Sequence, residues 1–123
     1  DALGLTKLVY NLNILSQNSA LAAMDYADEI LAHNIPPTLA ARQHFMDALK
    51  DVPNLTVYPS ATNFVLVRVP DGPAMVKALH DADICVRSYK AADLKNCLRI
   101  TITTDDVVRR VVAVMTEEAK KYA

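Results

Sequence analysis

The amino-acid sequence predicts an α+β domain, in which a small antiparallel-type sheet has helices packed on one face. Long runs with helical period alternate with short apolar runs typical of strands. The last two predicted strands are separated by only nine residues, which is too few for a parallel crossover. A length of 123 residues fits one domain. We therefore expect residues 1–123 to form a single domain, with 1–34 as a lead-in and linking helix.

The first predicted elements are helices. Asn13 is the expected N-cap of a helix over 14–33, after an irregular lead-in. Pro36 and Pro37 are expected to stop or kink that helix, because proline lacks an N–H and disfavours helix in the preceding residue. A second helix is predicted from Thr38, as its cap, to Lys50.

The remainder of the chain predicts a sheet with two further helices. We expect four strands, at residues 55–58, 62–69, 84–87 and 97–103. A helix over 73–82 begins near Pro73, and a last helix over 105–121 begins after Thr104. A polar loop is expected at 88–96.

Composition excludes several classes of function. Hydrophobic residues make up 52% and charged residues 22%, which is typical of a globular domain and not of a disordered chain. A net charge of −1 predicts no nucleic-acid or anionic-membrane partner. Cys85 and Cys97 are expected to be reduced core residues in apolar strands, and a cytoplasmic location follows. No His/Cys cluster has metal-ligand spacing, so no metal site is expected.

Two arginines at strand positions are the candidate binding residues. Arg87 ends the predicted strand 84–87, and Arg99 lies inside the strand 97–103 on the face opposite its apolar residues. Burying an unpaired charge is costly, so a partner is expected. That partner is either a neighbouring carboxylate in a structural ion pair or a bound anion, since guanidinium matches carboxylate and phosphate with two parallel hydrogen bonds. Asn11, in the polar stretch ahead of the first helix, is a third candidate substrate-binding residue.

Segments of the chain resemble a known family. They are Tyr10–Gln17, Tyr58–Arg68, and Val86-Arg87 followed by Asn96–Thr101. Together they are similar to the C-terminal third of histidinol-phosphate aminotransferase, a pyridoxal-phosphate enzyme of fold type I in histidine biosynthesis. The resemblance covers essentially the whole chain, and Asn96–Thr101 is its most specific part. It implies the small, C-terminal domain of a larger, cytoplasmic, homodimeric enzyme.

The resemblance also implies roles for the two arginines. The family residue that matches Arg99 binds the substrate carboxylate, and the residue that matches Arg87 is associated with the substrate phosphate. One pocket would then hold histidinol phosphate and glutamate or 2-oxoglutarate in turn. The intact enzyme is therefore expected to transfer an amino group between histidinol phosphate and 2-oxoglutarate.

The pyridoxal phosphate of this family is held mainly by its large domain. None of the seven lysines of this chain lies in the family's cofactor-lysine context. We therefore expect no catalytic and no cofactor-binding residue here, and no activity from this chain alone. The lead-in and first helix are expected to contact the large domain, which would leave an apolar surface exposed in the isolated chain.

Two alternatives stay open at this point. Within the enzyme class, the chain fits another fold-type-I enzyme, either an aromatic aminotransferase or a threonine-phosphate decarboxylase. In a different class, it fits a free-standing α+β domain that uses Arg87 and Arg99 to bind an anion without chemistry.

Overall fold

A computed structural model describes residues 12–123. The chain divides into two compact units, one that ends at Asn34 and one that covers Ile35–Ala123. Asn11 and the rest of the lead-in before Leu12 lie outside the described residues. Among the helices that the structure describes, none has the length and apolar character needed to span a membrane.

The first unit contains helix α1, Ile14–Met24. The prediction that Asn13 caps it is confirmed, because the Asn13 side chain accepts from the Ser16 N–H at 2.8 Å. The prediction of one helix over 14–33 is wrong. The Asp25 N–H bonds to the Ala22 carbonyl, three residues back, and this tighter bond ends α1 before a second helix begins.

Helix α2 spans Ala27–Leu49 and passes through both prolines without a break. The predicted stop at Pro36 and Pro37 is therefore wrong, as is the predicted cap at Thr38, which lies inside the helix. Proline has a φ suited to a helix, and its missing N–H removes donors to the carbonyls of Ala32 and His33. Both of those residues are exposed, so water can satisfy their carbonyls. The division between the two units falls just before the proline pair.

The second unit contains a four-stranded sheet in the order β1-β2-β4-β3, with every neighbouring pair antiparallel. The strands are β1, Thr56–Val57; β2, Phe64–Arg68; β3, Arg87–Ser88; and β4, Cys97–Thr101. The other helices are α3, Gly72–Asp81, and α4, Asp105–Ala119. The predicted α+β class is confirmed, and all four strands are shorter than predicted.

The hydrophobic core lies between one face of this sheet and the helices. The sheet contributes Val65 and Val67 from β2 and Leu98 and Ile100 from β4, all at most 2% exposed. The helices contribute side chains spaced three or four residues apart, as an amphipathic helix requires. These buried helical residues are Ala41, Phe45, Leu49, Met75, Leu79, Val108, Val111 and Met115.

Strand β3 is the largest departure from the predicted strands. Asp83 has a φ of 59°, and the Ile84 N–H bonds to the Leu79 carbonyl at 2.9 Å, so these residues close helix α3 with a left-handed turn. Only Arg87–Ser88 is left to pair with β4. Cys85 is consequently exposed and lies outside any strand, which contradicts the prediction of two core cysteines. Cys97 is buried in β4 as predicted.

Candidate anion-binding site

The second face of the sheet carries three arginines, Arg68, Arg87 and Arg99, which we call the arginine face. Side chains alternate along a strand, so in β4 Arg99 points away from its buried neighbours Leu98 and Ile100. Arg68 in β2 pairs with Cys97, two residues before Arg99, and so lies on the same face as Arg99. The period of two that buries the core residues therefore gathers the three cations on the opposite side.

Arg87 and Arg99 are directly opposite each other across the β3–β4 pair. Residues in that relation have Cβ atoms about 4.5–5.5 Å apart, and like charges so placed are destabilising. The structure thus brings together the two arginines that the sequence singled out. An anion between them would remove the repulsion and be held by two guanidinium groups.

Each of these arginines lies against an aromatic ring. The guanidinium carbon of Arg99 is 5.0 Å from the centre of the Phe64 ring. The guanidinium carbon of Arg87 is 6.0 Å from the ring of Tyr89. Such contacts orient a guanidinium without using its N–H donors. Among residues 12–123, no protein acceptor bonds the side-chain donors of either arginine, which leaves them available to a ligand.

Neither Arg87 nor Arg99 has an acidic partner within residues 12–123. The ion pairs of that part of the chain join other residues. The Nε of Arg99 is buried and has no hydrogen-bond partner among the described atoms. A buried donor of this kind is costly unless something accepts from it. Within the described part of the chain, Arg99 thus forms no structural ion pair.

Arg68 is a site residue that the sequence analysis did not single out. Its Nε donates to the Tyr58 hydroxyl at 3.1 Å, and its Nη2 donates to the backbone carbonyl of Asp93 at 3.2 Å. The hydrogen bond with Tyr58 is the main cause that raises the pKa of Arg68, so this guanidinium is always charged. Alternation along Phe64–Arg68 is the signal that places it on the same face as Arg99.

The start of β4 is fixed by Asn96. Its side chain accepts from the Gly72 N–H at 3.2 Å and donates to the Pro70 carbonyl at 3.0 Å. A Cβ on Gly72 would lie 2.6 Å from the carbonyl oxygen of Lys95, so only glycine allows this close approach. The register that sets Arg99 beside Arg87 is thereby anchored at one end.

The other end of the site is held by helix α2. The Arg42 guanidinium donates to the Thr62 carbonyl at 2.8 Å, just before Phe64. The Ile102 N–H bonds to the Asn63 carbonyl at 2.8 Å and extends the β2–β4 pairing by one bond. These contacts fix the ring that lies against Arg99.

No lysine among the described residues has the setting that a Schiff-base lysine needs. A lysine that forms a Schiff base needs a lowered pKa, which burial or nearby positive charge supplies. Every lysine from Leu12 onward is exposed, and the pKa of Lys121 is raised by its hydrogen bond with Glu118. Over the same part of the chain, no three His, Cys, Asp or Glu side chains cluster as metal ligands.

The chain is similar in sequence to histidinol-phosphate aminotransferases. It is 35% identical to that of Ruminiclostridium cellulolyticum over 106 residues, which cover 85% of this chain and 29% of the relative. It is 34% identical to histidinol-phosphate aminotransferase 1 of Ralstonia nicotianae over 79% of this chain and 26% of the relative. The chain thus spans less than a third of these relatives. No family model matches it.

Solved structures share the fold. The histidinol-phosphate aminotransferase of Sinorhizobium meliloti, in complex with pyridoxal-5'-phosphate, matches 85% of this chain and 28% of its own, with a TM-score of 0.65 and 30% identity. A decarboxylase from Sulfurospirillum multivorans matches 96% of this chain and 35% of its own, with a TM-score of 0.69. At 22% identity, that second likeness shows the fold alone. In sequence and in fold, the chain therefore resembles the small, C-terminal domain of histidinol-phosphate aminotransferases, which are fold-type-I enzymes.

Proposed function

We propose that this domain binds the anionic groups of the substrates in an enzyme that transfers an amino group between histidinol phosphate and 2-oxoglutarate. The observation that carries the proposal is the pair Arg87 and Arg99, which face each other across two strands with no acidic partner in the described chain. The likeness to histidinol-phosphate aminotransferases supports the choice of reaction. The enzyme is proposed to be a cytoplasmic homodimer in histidine biosynthesis.

The two arginines would divide the work between them. Arg99 is half-buried, stacked on Phe64, and carries an unsatisfied buried Nε, so its position is well defined. It is the proposed anchor for the carboxylate of glutamate or 2-oxoglutarate. Arg87 is exposed at the sheet edge, where a larger and more solvated phosphate has room. It is the proposed anchor for the phosphate of histidinol phosphate.

The electron-sink chemistry of transamination belongs to pyridoxal phosphate. Its site is proposed to lie in the large domain of a longer protein. The contribution of this chain is to neutralise and orient the substrate anions. Asn11, which lies outside the described residues, stays a proposed third substrate-binding residue.

The test is the steady-state kinetics of a full-length enzyme that contains this domain. Arg99→Ala should lower kcat/KM for every carboxylate substrate, and Arg87→Ala should lower it far more for histidinol phosphate than for glutamate. Loss of a bidentate charge-assisted pair costs on the order of 2–5 kcal/mol. Arg109→Ala is the matched control, because Arg109 is an exposed arginine paired with Asp105.

Two outcomes would contradict the proposal. If Arg87→Ala leaves kcat/KM for histidinol phosphate unaffected, Arg87 does not anchor the phosphate, and the support that this domain gives to histidinol phosphate as the substrate is lost. An aromatic aminotransferase or a threonine-phosphate decarboxylase is then the account to test. Competition between imidazole-bearing and phenyl- or indole-bearing amino acids then decides between substrates. If Arg99→Ala also leaves glutamate unaffected, the arginine pair binds no substrate carboxylate. A binding domain without chemistry is then the better account.

A further inference from the structure

Arg68 shares the arginine face with the two proposed anchors but has different partners. Two of its nitrogens already donate to protein acceptors, the Tyr58 hydroxyl and the Asp93 carbonyl. The side chains of Arg87 and Arg99 make no hydrogen bond within residues 12–123, apart from their contacts with aromatic rings. The guanidinium of Arg68 is therefore committed to the protein, while the other two are available to a ligand.

The acceptor Asp93 belongs to the connection between β3 and β4, residues 89–96. Asp93 lies in a short 3-10 turn, Ala92–Leu94, and most of the connection is exposed. An exposed segment with few core contacts opens easily unless hydrogen bonds hold it. Asn96 fastens its end through Pro70 and Gly72. Arg68 holds the middle of the connection by donating a hydrogen bond to the Asp93 carbonyl.

The connection matters because β3 is so short. Only Arg87–Ser88 pair with β4, so the ladder by itself gives Arg87 little support. The residues that follow Ser88 are those of the connection, and they include Tyr89, whose ring lies near the Arg87 guanidinium. Strand β4, by contrast, is paired along its whole length with β2. A loosened connection would therefore displace Arg87 more than Arg99.

We propose that Arg68 is a positioning residue of the anion site, which holds the β3–β4 connection through the Asp93 carbonyl and so keeps Arg87 opposite Arg99. The proposal rests on the proposed function of the arginine pair. It assigns Tyr58 the task of orienting Arg68 through its hydroxyl. The phosphate substrate should depend on this arrangement more than the carboxylate substrate.

The test uses the full-length enzyme that contains this domain. Loss of hydrogen bonds to a charged group predicts that Arg68→Ala raises the KM for histidinol phosphate about three- to tenfold. We expect kcat to stay within about twofold, because the variant changes positioning and not the reacting groups. Tyr58→Phe should raise the same KM less, and its effect should not add to that of Arg68→Ala, because the two side chains act as a unit. Arg109→Ala is the control.

A second readout follows the connection without any substrate. A lysine-specific protease cleaves after Lys90 and Lys95, and Arg68→Ala should speed cleavage there several-fold, while Arg109→Ala should not. A residue that only contacts the ligand would leave this rate unchanged. If Arg68→Ala raises KM while Tyr58→Phe and the cleavage rate show no effect, Arg68 binds the anion directly and the proposal is wrong.

An unchanged KM in Arg68→Ala also overturns the proposal. If that variant does not fold, Tyr58→Phe decides alone, and a normal KM with normal cleavage contradicts the positioning role. Failure of the proposed function looks different, because Arg87→Ala and Arg99→Ala would then leave both substrates unchanged.

Discussion

The two units of this chain differ in what their apolar side chains contact. From Leu12 to Asn34, every residue except Ala27 is exposed, and the exposed ones include large apolar side chains. Leu15 is 75% exposed and Leu21 is 69% exposed. In Ile35–Ala123, side chains of the same kind, such as Leu49 and Leu98, are fully buried. Helical periodicity alone therefore says that a segment is a helix, and not that it has a core of its own.

The two units therefore differ in whether their stability depends on contact with another surface. A unit with its own core can hold the arginine face in register. A unit of exposed apolar helix is stabilised only when another surface covers it, since large apolar patches are rare on monomeric proteins. This is consistent with the expectation that the first helix contacts a large domain in a longer protein.

The largest expected effect comes from a matched pair of leucine substitutions in the 123-residue chain. Leu49 is fully buried and Leu15 is largely exposed. Leu49→Ala should lower the free energy of unfolding by about 2–5 kcal/mol, because it leaves a cavity in the core. Leu15→Ala should change it by less than about 0.5 kcal/mol. Denaturant unfolding measures both changes in the free energy of unfolding. Equal changes in the two variants would mean that Leu15 is packed as tightly as Leu49, which would contradict the prediction.

A second prediction concerns association of the isolated chain. The exposed side chains of α1 should bring copies together, so Leu15→Lys with Leu21→Lys should lower the average mass seen by sedimentation velocity. The free energy of unfolding should change little. Asn18→Lys with Ser19→Lys adds the same charge to the same helix and keeps the apolar side chains. If this control pair dissociates the chain equally, charge and not apolar contact is responsible.

The smallest expected effect is a pH dependence confined to the second unit. His44 Nδ1 lies 2.5 Å from Asp105 Oδ1, and Arg109 Nε lies 2.7 Å from Asp105 Oδ2. Hydrogen bonds with His44 and then Arg109 lower the pKa of the Asp105 carboxyl. Because the pKa of Asp105 is lower in the folded chain than its ordinary value near 3.8, the carboxylate stabilises the fold at pH values above 3.8. That stabilisation is lost as the pH falls through the folded-state pKa.

Asp105→Asn should therefore reduce stability at neutral pH and have progressively less effect in acid. Thermal unfolding at several pH values measures this. Asp28→Asn is the control, because Asp28 has no ion pair among the described residues and lies in the first unit. A pH-independent effect of Asp105→Asn would show that the carboxylate charge is not what stabilises the contact.

How far the sequence predicted the structure depends on the range of the interactions. Alternation along Cys97–Thr101 is local, and it placed Arg99 on the correct face. The cap at Asn13 is local too, and it was predicted. The short length of β3 depends on the left-handed Asp83 turn that closes α3, which competes with a strand that the apolar residues also favour. The arrangement of Arg68 with the Asp93 carbonyl joins residues 25 positions apart, and no pattern in the sequence shows it.

The passage of α2 through Pro36 and Pro37 illustrates the same limit. A proline inside a helix destabilises it, because it removes a backbone hydrogen bond and its ring crowds the preceding turn. The helix persists when its other contacts stabilise it by more than this. Here Phe45 and Leu49 are buried about two and three turns after Pro37, and they attach the later part of the helix to the core. The N–H groups that Pro36 and Pro37 lack would have bonded to the carbonyls of Ala32 and His33, and both of those residues are exposed to water.

The two outer strands, β1 and β3, contain only two residues each. An open sheet can grow by adding a strand from another chain to its unpaired edge. An edge strand of two residues presents very few free N–H and C=O groups for such a strand to pair with. Arg87 adds an exposed charge to one of them. The sheet therefore resists the fibrous, strand-by-strand aggregation to which open sheets are prone. We therefore expect association of this chain to proceed through exposed apolar side chains such as those of its first helix, and not through its sheet edges.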